Sequence, residues 1–278
     1  MSAPAQVSSL NTEAVFFEVI NPLSTKCRNP SQQFIAQDLA FFRLKCNLPP
    51  GKHLFEANVE MSTKVISFAT QKGGAGKTTL LMLTAAALHN RTDKKILVID
   101  SDPQQSVKTI YKKEQSKKSY DVFAFNWSQP SLEENFEKIL TLAKRKYDVI
   151  LMDVPGNIKG IEMQFSIMYS DILIVPVVAS PLDINATVTF LDMVGKMKKE
   201  RNSPLEVFGV INKRDKTIEH HLLRELAGRG GLQLFYSPLS NLVRYKRFVS
   251  TISDITDPGA KDDEFNEYFD EFRTNCFL

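Results

Sequence analysis

The stretch Gln71–Thr79, QKGGAGKTT, constrains this chain more than any other. An apolar, β-branched run precedes it, Lys64–Thr70 (KVISFAT), and a helical pattern follows from Thr78 to about Asn90. Glycines at 73, 74 and 76 let the backbone curl until successive N–H groups point inward. The helix that follows adds the positive end of its dipole. Strand, glycine loop and helix in this order form a cradle for a polyphosphate. Lys77 would reach the β- and γ-phosphates, and the Thr78 hydroxyl would ligate Mg²⁺. The ordinary alternative is a flexible loop without chemistry. At average residue frequencies, though, a chance match in a chain this long is about one in a million. The expected nucleotide contacts are Lys72, Gly73, Gly74, Ala75, Gly76, Lys77, Thr78 and Thr79.

The pattern around this loop predicts an α/β fold, a doubly wound, mostly parallel sheet with helices on both faces. Further strands are expected at Lys95–Asp100, Asp121–Phe125, Asp148–Asp153, Asp171–Val178, Leu205–Asn212 and Leu232–Tyr236. They are apolar throughout rather than alternating, as strands covered on both faces must be. Helical spacing lies between them, at Ser131–Lys146, Gly160–Tyr169, Pro181–Lys199 and Ile218–Arg229. Two more helices are expected near Leu242–Ile252 and Asp262–Phe272. Ser131 followed by Glu134 reads as a capping box. In such sheets ligands bind at the carboxyl ends of the strands.

Residues 1–62 read differently and are taken as an N-terminal extension, leaving 63–278 as the main domain. Asn21-Pro22, Asn29-Pro30 and Pro49-Pro50-Gly51 are turn chemistry. The apolar pieces Ala14–Ile20 and Phe34–Leu44 fit a helix only loosely. A docking arm, a partner-binding adaptor, a disordered segment and a start-site artefact ahead of Met61 all stay open. The chain has 43% hydrophobic and 24% charged residues among 278, the profile of a globular protein. Its longest apolar run, Ile172–Ala179, contains Pro176 and is less than half a bilayer span. No charged-then-apolar leader is visible. Cys27, Cys46 and Cys276 are odd in number and lack CxxC spacing, which argues for a reducing compartment.

The loop departs from the ordinary phosphate-binding pattern at its start. Gln71 stands where the first glycine would be, and Lys72 adds a second lysine. KGGAGKT resembles the signature KGGxGK[ST] of the ParA/MinD group of deviant-Walker P-loop ATPases, and the resemblance covers about residues 64–260. It implies an ATP- and Mg²⁺-dependent homodimer in which Lys72 crosses the interface to the partner subunit's phosphates. Asp100-Ser101-Asp102-Pro103-Gln104 looks like that family's switch. There Asp102 would orient the attacking water, with Asp100 as a metal-side or structural supporter. Asp153 ends the apolar strand Val149–Met152 and would hold Mg²⁺ beside Thr78. Gly156 departs from the family run, which more often has two prolines, and raises the question of a loosened switch. The resemblance also places Asn212, with Lys213, on the adenine side, and sets Pro238 beside the base. Asn212 could instead be an ordinary strand-terminating turn residue.

Charge narrows the partners. The whole chain carries +3, but Asp262–Leu278 has six acids and one base, a net of −5, so the remainder carries +8. An acidic tail with a stripe of Phe265, Tyr268, Phe269 and Phe272 fits docking on the domain better than insertion in anionic lipid. Membrane binding is therefore not expected. Basic runs at 196–201 and at Arg244, Lys246 and Arg247 could contact DNA phosphates, and Lys112–Lys118 is a further candidate. The nearly balanced total makes no electrostatic case by itself. The resemblance implies a cytoplasmic, nucleoid-associated partition ATPase for plasmid or chromosome segregation. It would bind duplex DNA nonspecifically with ATP and be stimulated by a centromere-binding or activator protein. The alternatives are an ATPase that positions a protein cargo or regulates its partner, and a metabolic amidoligase-like P-loop enzyme. An iron–sulfur reductase is disfavoured, because no cysteine lies in the ATPase core.

Overall fold

Seven short strands account for the centre of the molecule in the computed structural model, which describes residues 63–113, 120–127, 131–156, 160–213, 223, 226, 228–240, 245 and 255–278. They are β1 (Lys64–Phe68), β2 (Ile96–Asp100), β3 (Asp121–Ala124), β4 (Val149–Asp153), β5 (Ile172–Val177), β6 (Glu206–Ile211) and β7 (Leu232–Leu234). Their order is β3-β2-β4-β1-β5-β6-β7 and every pairing is parallel. The helices are α1 (Lys77–Arg91), α2 (Ser106–Lys113), α3 (Leu132–Lys144), α4 (Ile161–Tyr169), α5 (Pro181–Glu200) and α6 (Asp263–Cys276). Among the described residues, no helix is long and apolar enough to cross a membrane.

Both faces of the sheet are buried, which explains the continuously apolar strands. Ile66, Phe68, Val98, Leu151 and Ile174 face a core shared with α1 and α6. On the opposite face the Ser67 hydroxyl meets Ser170 at 2.6 Å and the α4 carbonyl of Ser166 at 3.4 Å. Pro176 is tolerated inside β5 because it lies beyond the last β1–β5 pair, Phe68↔Ile174, where only β6 runs alongside. The aromatic stripe of α6 docks as expected: Phe265, Tyr268, Phe269 and Phe272 are all buried. Phe272 stacks on Phe68 with ring centroids 6.4 Å apart, and the Tyr268 hydroxyl meets that of Thr84 at 2.8 Å.

Three local readings change. Ser131 does precede α3, but in a left-handed conformation with no side-chain cap, so the capping box does not form. Its φ of 52° departs from the extended backbone that a capping residue ordinarily adopts. Helix α2 sits where the sequence pattern predicts none, its periodicity being too short to read. Arg201 closes the basic run 196–201, yet its guanidinium is spent on the carbonyls of Ile167, Ser170 and Pro204. It braces α4 against the α5–β6 turn instead of facing a phosphate. The helices expected at Ile218–Arg229 and Leu242–Ile252 lie largely outside the described residues, as do residues 114–118 of the lysine-rich piece and the whole of 1–62.

Candidate functional site

Strand register brings the chemistry together. The pairs Phe68↔Asp153 and Asp100↔Asp153 put the carboxyl ends of β1, β4 and β2 side by side. The glycine loop leaves β1 there, so Asp153 and Asp100 lie beneath it. A cleft of about 610 Å³ opens at this end of the sheet. Gly73, Gly74, Gly76, Lys77, Thr78 and Thr79 line it, with Asp102, Gly156, Asn212 and Lys213. Gln104, Ser106, Ser240 and Tyr245 line it too.

The loop has the curl its glycines allow. Gly74 and Gly76 have φ of 76° and 93°, a left-handed region open to glycine. A β-carbon at Gly76 would sit 2.3 Å from Asn212 Nδ2 and push that amide off the loop. Gly73 and Gly74 face open space, room a phosphate group can occupy. Gly156 approaches the loop from the β4 side, where a β-carbon would sit 3.2 Å from the Gln71 carbonyl and 3.5 Å from Lys77 Nζ. A side chain after Pro155 would therefore press on the loop, an effect apart from any loosening of a switch.

Electrostatically the site is a buried cation among carboxylates. Lys77 is buried, and desolvation lowers its pKa against the opposing pull of Asp153 and Asp102. Asp153 is fully enclosed, and burial pushes its carboxyl up to about 7 although the Thr78 hydroxyl donates to its Oδ2 at 2.8 Å. Its other oxygen, Oδ1, is buried and finds no hydrogen-bond donor among the described residues. A buried carboxylate with an orphaned oxygen beside a hydroxyl fits a divalent cation and its waters. Among the described residues no group of three His, Cys, Asp or Glu side chains could hold a metal alone. The phosphates of a nucleotide would complete the shell, as is usual for Mg²⁺.

The second strand end is a brace and a turn. Asp100 is fully buried, and desolvation raises its pKa. Its oxygens accept from the backbone N–H of Asp102 at 3.3 Å and of Lys108 at 3.0 Å. Asp102 reaches the cleft from the turn so held, its Oδ1 accepting from Gln104 N at 2.9 Å.

Two residues expected on the adenine side brace the loop here. Asn212 Nδ2 donates to the Ala75 carbonyl at 2.8 Å, and Lys213 Nζ donates to the Gly74 carbonyl. Pro238 is not among the cleft-lining residues; its neighbour two positions on, Ser240, is. Arg244, Lys246 and Arg247 lie outside the described residues.

Sequence reasoning missed Asp183. It is buried in the first turn of α5, where it pairs with Lys72. Ser180 caps that helix and donates its hydroxyl to Asp183 Oδ2 at 2.5 Å. Ser180-Pro181-Leu182-Asp183 carries a legible helix-start signal, with a capping serine, proline at the first position and an early acid. Nothing in it announces the lysine. Lys72 keeps 45% of its side chain exposed, so the pair sits at the rim.

Comparisons with known proteins agree with this geometry. Residues 66–230 match the family model described as the CobQ/CobB/MinD/ParA nucleotide binding domain. The chain is 24% identical over 214 residues to a maintenance of carboxysome distribution protein A from Halothiobacillus neapolitanus, spanning 74% of this chain and 94% of that one. A putative plasmid partition protein from Borrelia burgdorferi B31, solved with AMPPNP, superimposes with a TM-score of 0.59 at 20% identity. That match covers 78% of this chain and 98% of the other. Cobyrinic acid a,c-diamide synthase from Mycobacterium smegmatis, solved with an ATP analogue and magnesium, gives 0.54 at 18% identity, covering 69% and 95%.

Proposed function

The chain belongs to the CobQ/CobB/MinD/ParA nucleotide-binding domain family, and on that premise we propose that it is an ATP-driven dimerising ATPase that positions a cargo on duplex DNA. The observation that carries the ATPase part is Thr78 donating to Asp153 at 2.8 Å beneath a left-handed glycine loop with Lys77 at its helical end. The loop amides would hold the phosphates and Lys77 their negative charge. Thr78 and Asp153 would hold Mg²⁺, which would supply positive charge against the phosphates. Asp102, presented by the turn that Asp100 braces, would orient the attacking water.

Lys72 would serve the partner subunit's phosphates in an ATP-bound dimer. To do so it must leave Asp183. The cargo is a replicon or a protein assembly; the carboxysome-distribution relative favours the second and the partition-protein likeness fits the first. A centromere-bound or other activator would stimulate hydrolysis and release. An amidoligase-like reading has the synthase fold in its favour.

The test is a gel shift of random duplex DNA at low salt with ATP, ADP and no nucleotide. The expected result is binding with ATP alone, weakened steeply by added salt. No shift with ATP would remove the DNA part of the reading and leave the nucleotide site standing.

A further inference from the structure

The turn that presents Asp102 leaves the sheet one peptide before that residue. Phe125 N donates to the Asp100 carbonyl and Ser101 N to the Asp153 carbonyl, both at 3.1 Å, so the sheet still holds the chain there. The next peptide, between Ser101 and Asp102, is the first outside the sheet, and it is gripped at both ends. Its N–H, on Asp102, donates to Asp100 Oδ1 at 3.3 Å. Its carbonyl, on Ser101, accepts from the Trp127 indole N–H at 2.9 Å. The indole bond has the usual length of an N–H···O contact, whereas the bond to Asp100 is stretched. A peptide is planar, so fixing its carbonyl fixes the direction in which the chain enters Asp102. The carboxylate is aimed from that point.

Trp127 is the only tryptophan of the chain and stands three residues beyond β3. Its ring centroid lies 4.6 Å from that of Phe125, 5.5 Å from Phe136 on α3 and 5.9 Å from Phe165 on α4. Phe125 and Phe165 meet it edge to face, a preferred arrangement that fixes the plane of the indole and the direction of its N–H. The three phenylalanines carry no donor. Another phenylalanine could match the packing of Trp127, but not its bond to Ser101. Trp127 does not line the cleft. The geometry points to Trp127 as a positioning residue for ATP hydrolysis: α3 and α4 hold an indole whose N–H sets the Ser101–Asp102 peptide, and that peptide aims the Asp102 carboxylate at the attacking water. The inference rests on the water-orienting reading of Asp102 above and deepens it.

Steady-state and single-turnover ATP hydrolysis by the full chain in Mg²⁺ tests this with Trp127→Phe, Asp102→Ala and the double variant. Trp127→Phe keeps an aromatic ring and loses the donor. Its kcat is expected to fall about fivefold, the effect of one hydrogen bond, with KM changed by less than about twofold because the glycine loop is untouched. Asp102→Ala is expected to lower kcat about a hundredfold. In that background Trp127→Phe should change kcat by less than about twofold, since a residue that acts only through Asp102 has nothing left to aim. If Trp127→Phe does not fold, benzothienylalanine at position 127, an indole isostere with sulfur in place of the N–H, carries the same predictions. An unchanged kcat, or the same loss recurring without Asp102, overturns the inference. Asp102→Ala turning over like the parent overturns the water-orienting reading itself, a different result from a slow Asp102→Ala chain that Trp127→Phe slows further.

Discussion

The two walls of the cleft are assembled in different ways. The wall at residues 71–79, with Asp100 and Asp153, is made of strand ends placed side by side by parallel register. The side that carries Ser240 and Tyr245 is held, with the segment 236–240 before it, by the side chains of Asp262, Glu264 and Glu271, which reach back from 17 to 35 positions later in the chain. The first needs a contiguous motif and a sheet. The second needs a helix to have docked already, so its geometry depends on the packing of α6. Chemistry concentrates in the wall that register builds.

Damage to each wall should therefore read out differently. Phe272→Ala empties a fully buried ring site against Phe68 and should cost about 3–5 kcal/mol, read by denaturant unfolding. Asp153→Asn attacks the other wall. Steady-state ATP turnover is expected to fall about a hundredfold, with no loss of thermal stability, since the fold gains nothing from desolvating that carboxylate. A drop in unfolding temperature comparable to that of Phe272→Ala would erase the contrast between the walls.

Smaller effects sharpen it. Ser180→Ala removes the cap of α5 and the hydroxyl that orients Asp183, at a cost of about 1 kcal/mol in thermal unfolding. It should also release Lys72, seen as faster modification of that lysine by an amine-reactive reagent. Leu182→Ser, beside Asp183 and 79% exposed, should change protomer stability by less than about 0.5 kcal/mol. Any larger consequence should appear only in ATP-dependent self-association, measured by sedimentation.

How much of this is legible in the sequence follows the same division. The loop, Thr78, Asp153 and the Asp100–Asp102 turn are all visible, because each chemical group sits at a strand end in a short motif. The docking of α6 is visible from its aromatic spacing. Glu264, Glu271 and Asp262 read only as net charge, since their partners lie far away in sequence. Asp183 is hidden for the same reason. Asn212 stands out, but no pattern says that its amide braces the Ala75 carbonyl, a contact that exists only once β6 lies near the loop. Arg201 looks like surface charge until the carbonyls around it are placed. Long-range contacts of single side chains carry no local signature, and they hold most of the second wall.

The central claim is that the Gln71–Thr79 loop binds and turns over ATP through Lys77. ATP hydrolysis by the parent chain and by Lys77→Ala, in Mg²⁺ and at matched folded concentration, tests it most directly. The account predicts a turnover at least about a hundredfold lower for Lys77→Ala with unchanged unfolding. Equal hydrolysis by the two proteins would contradict it.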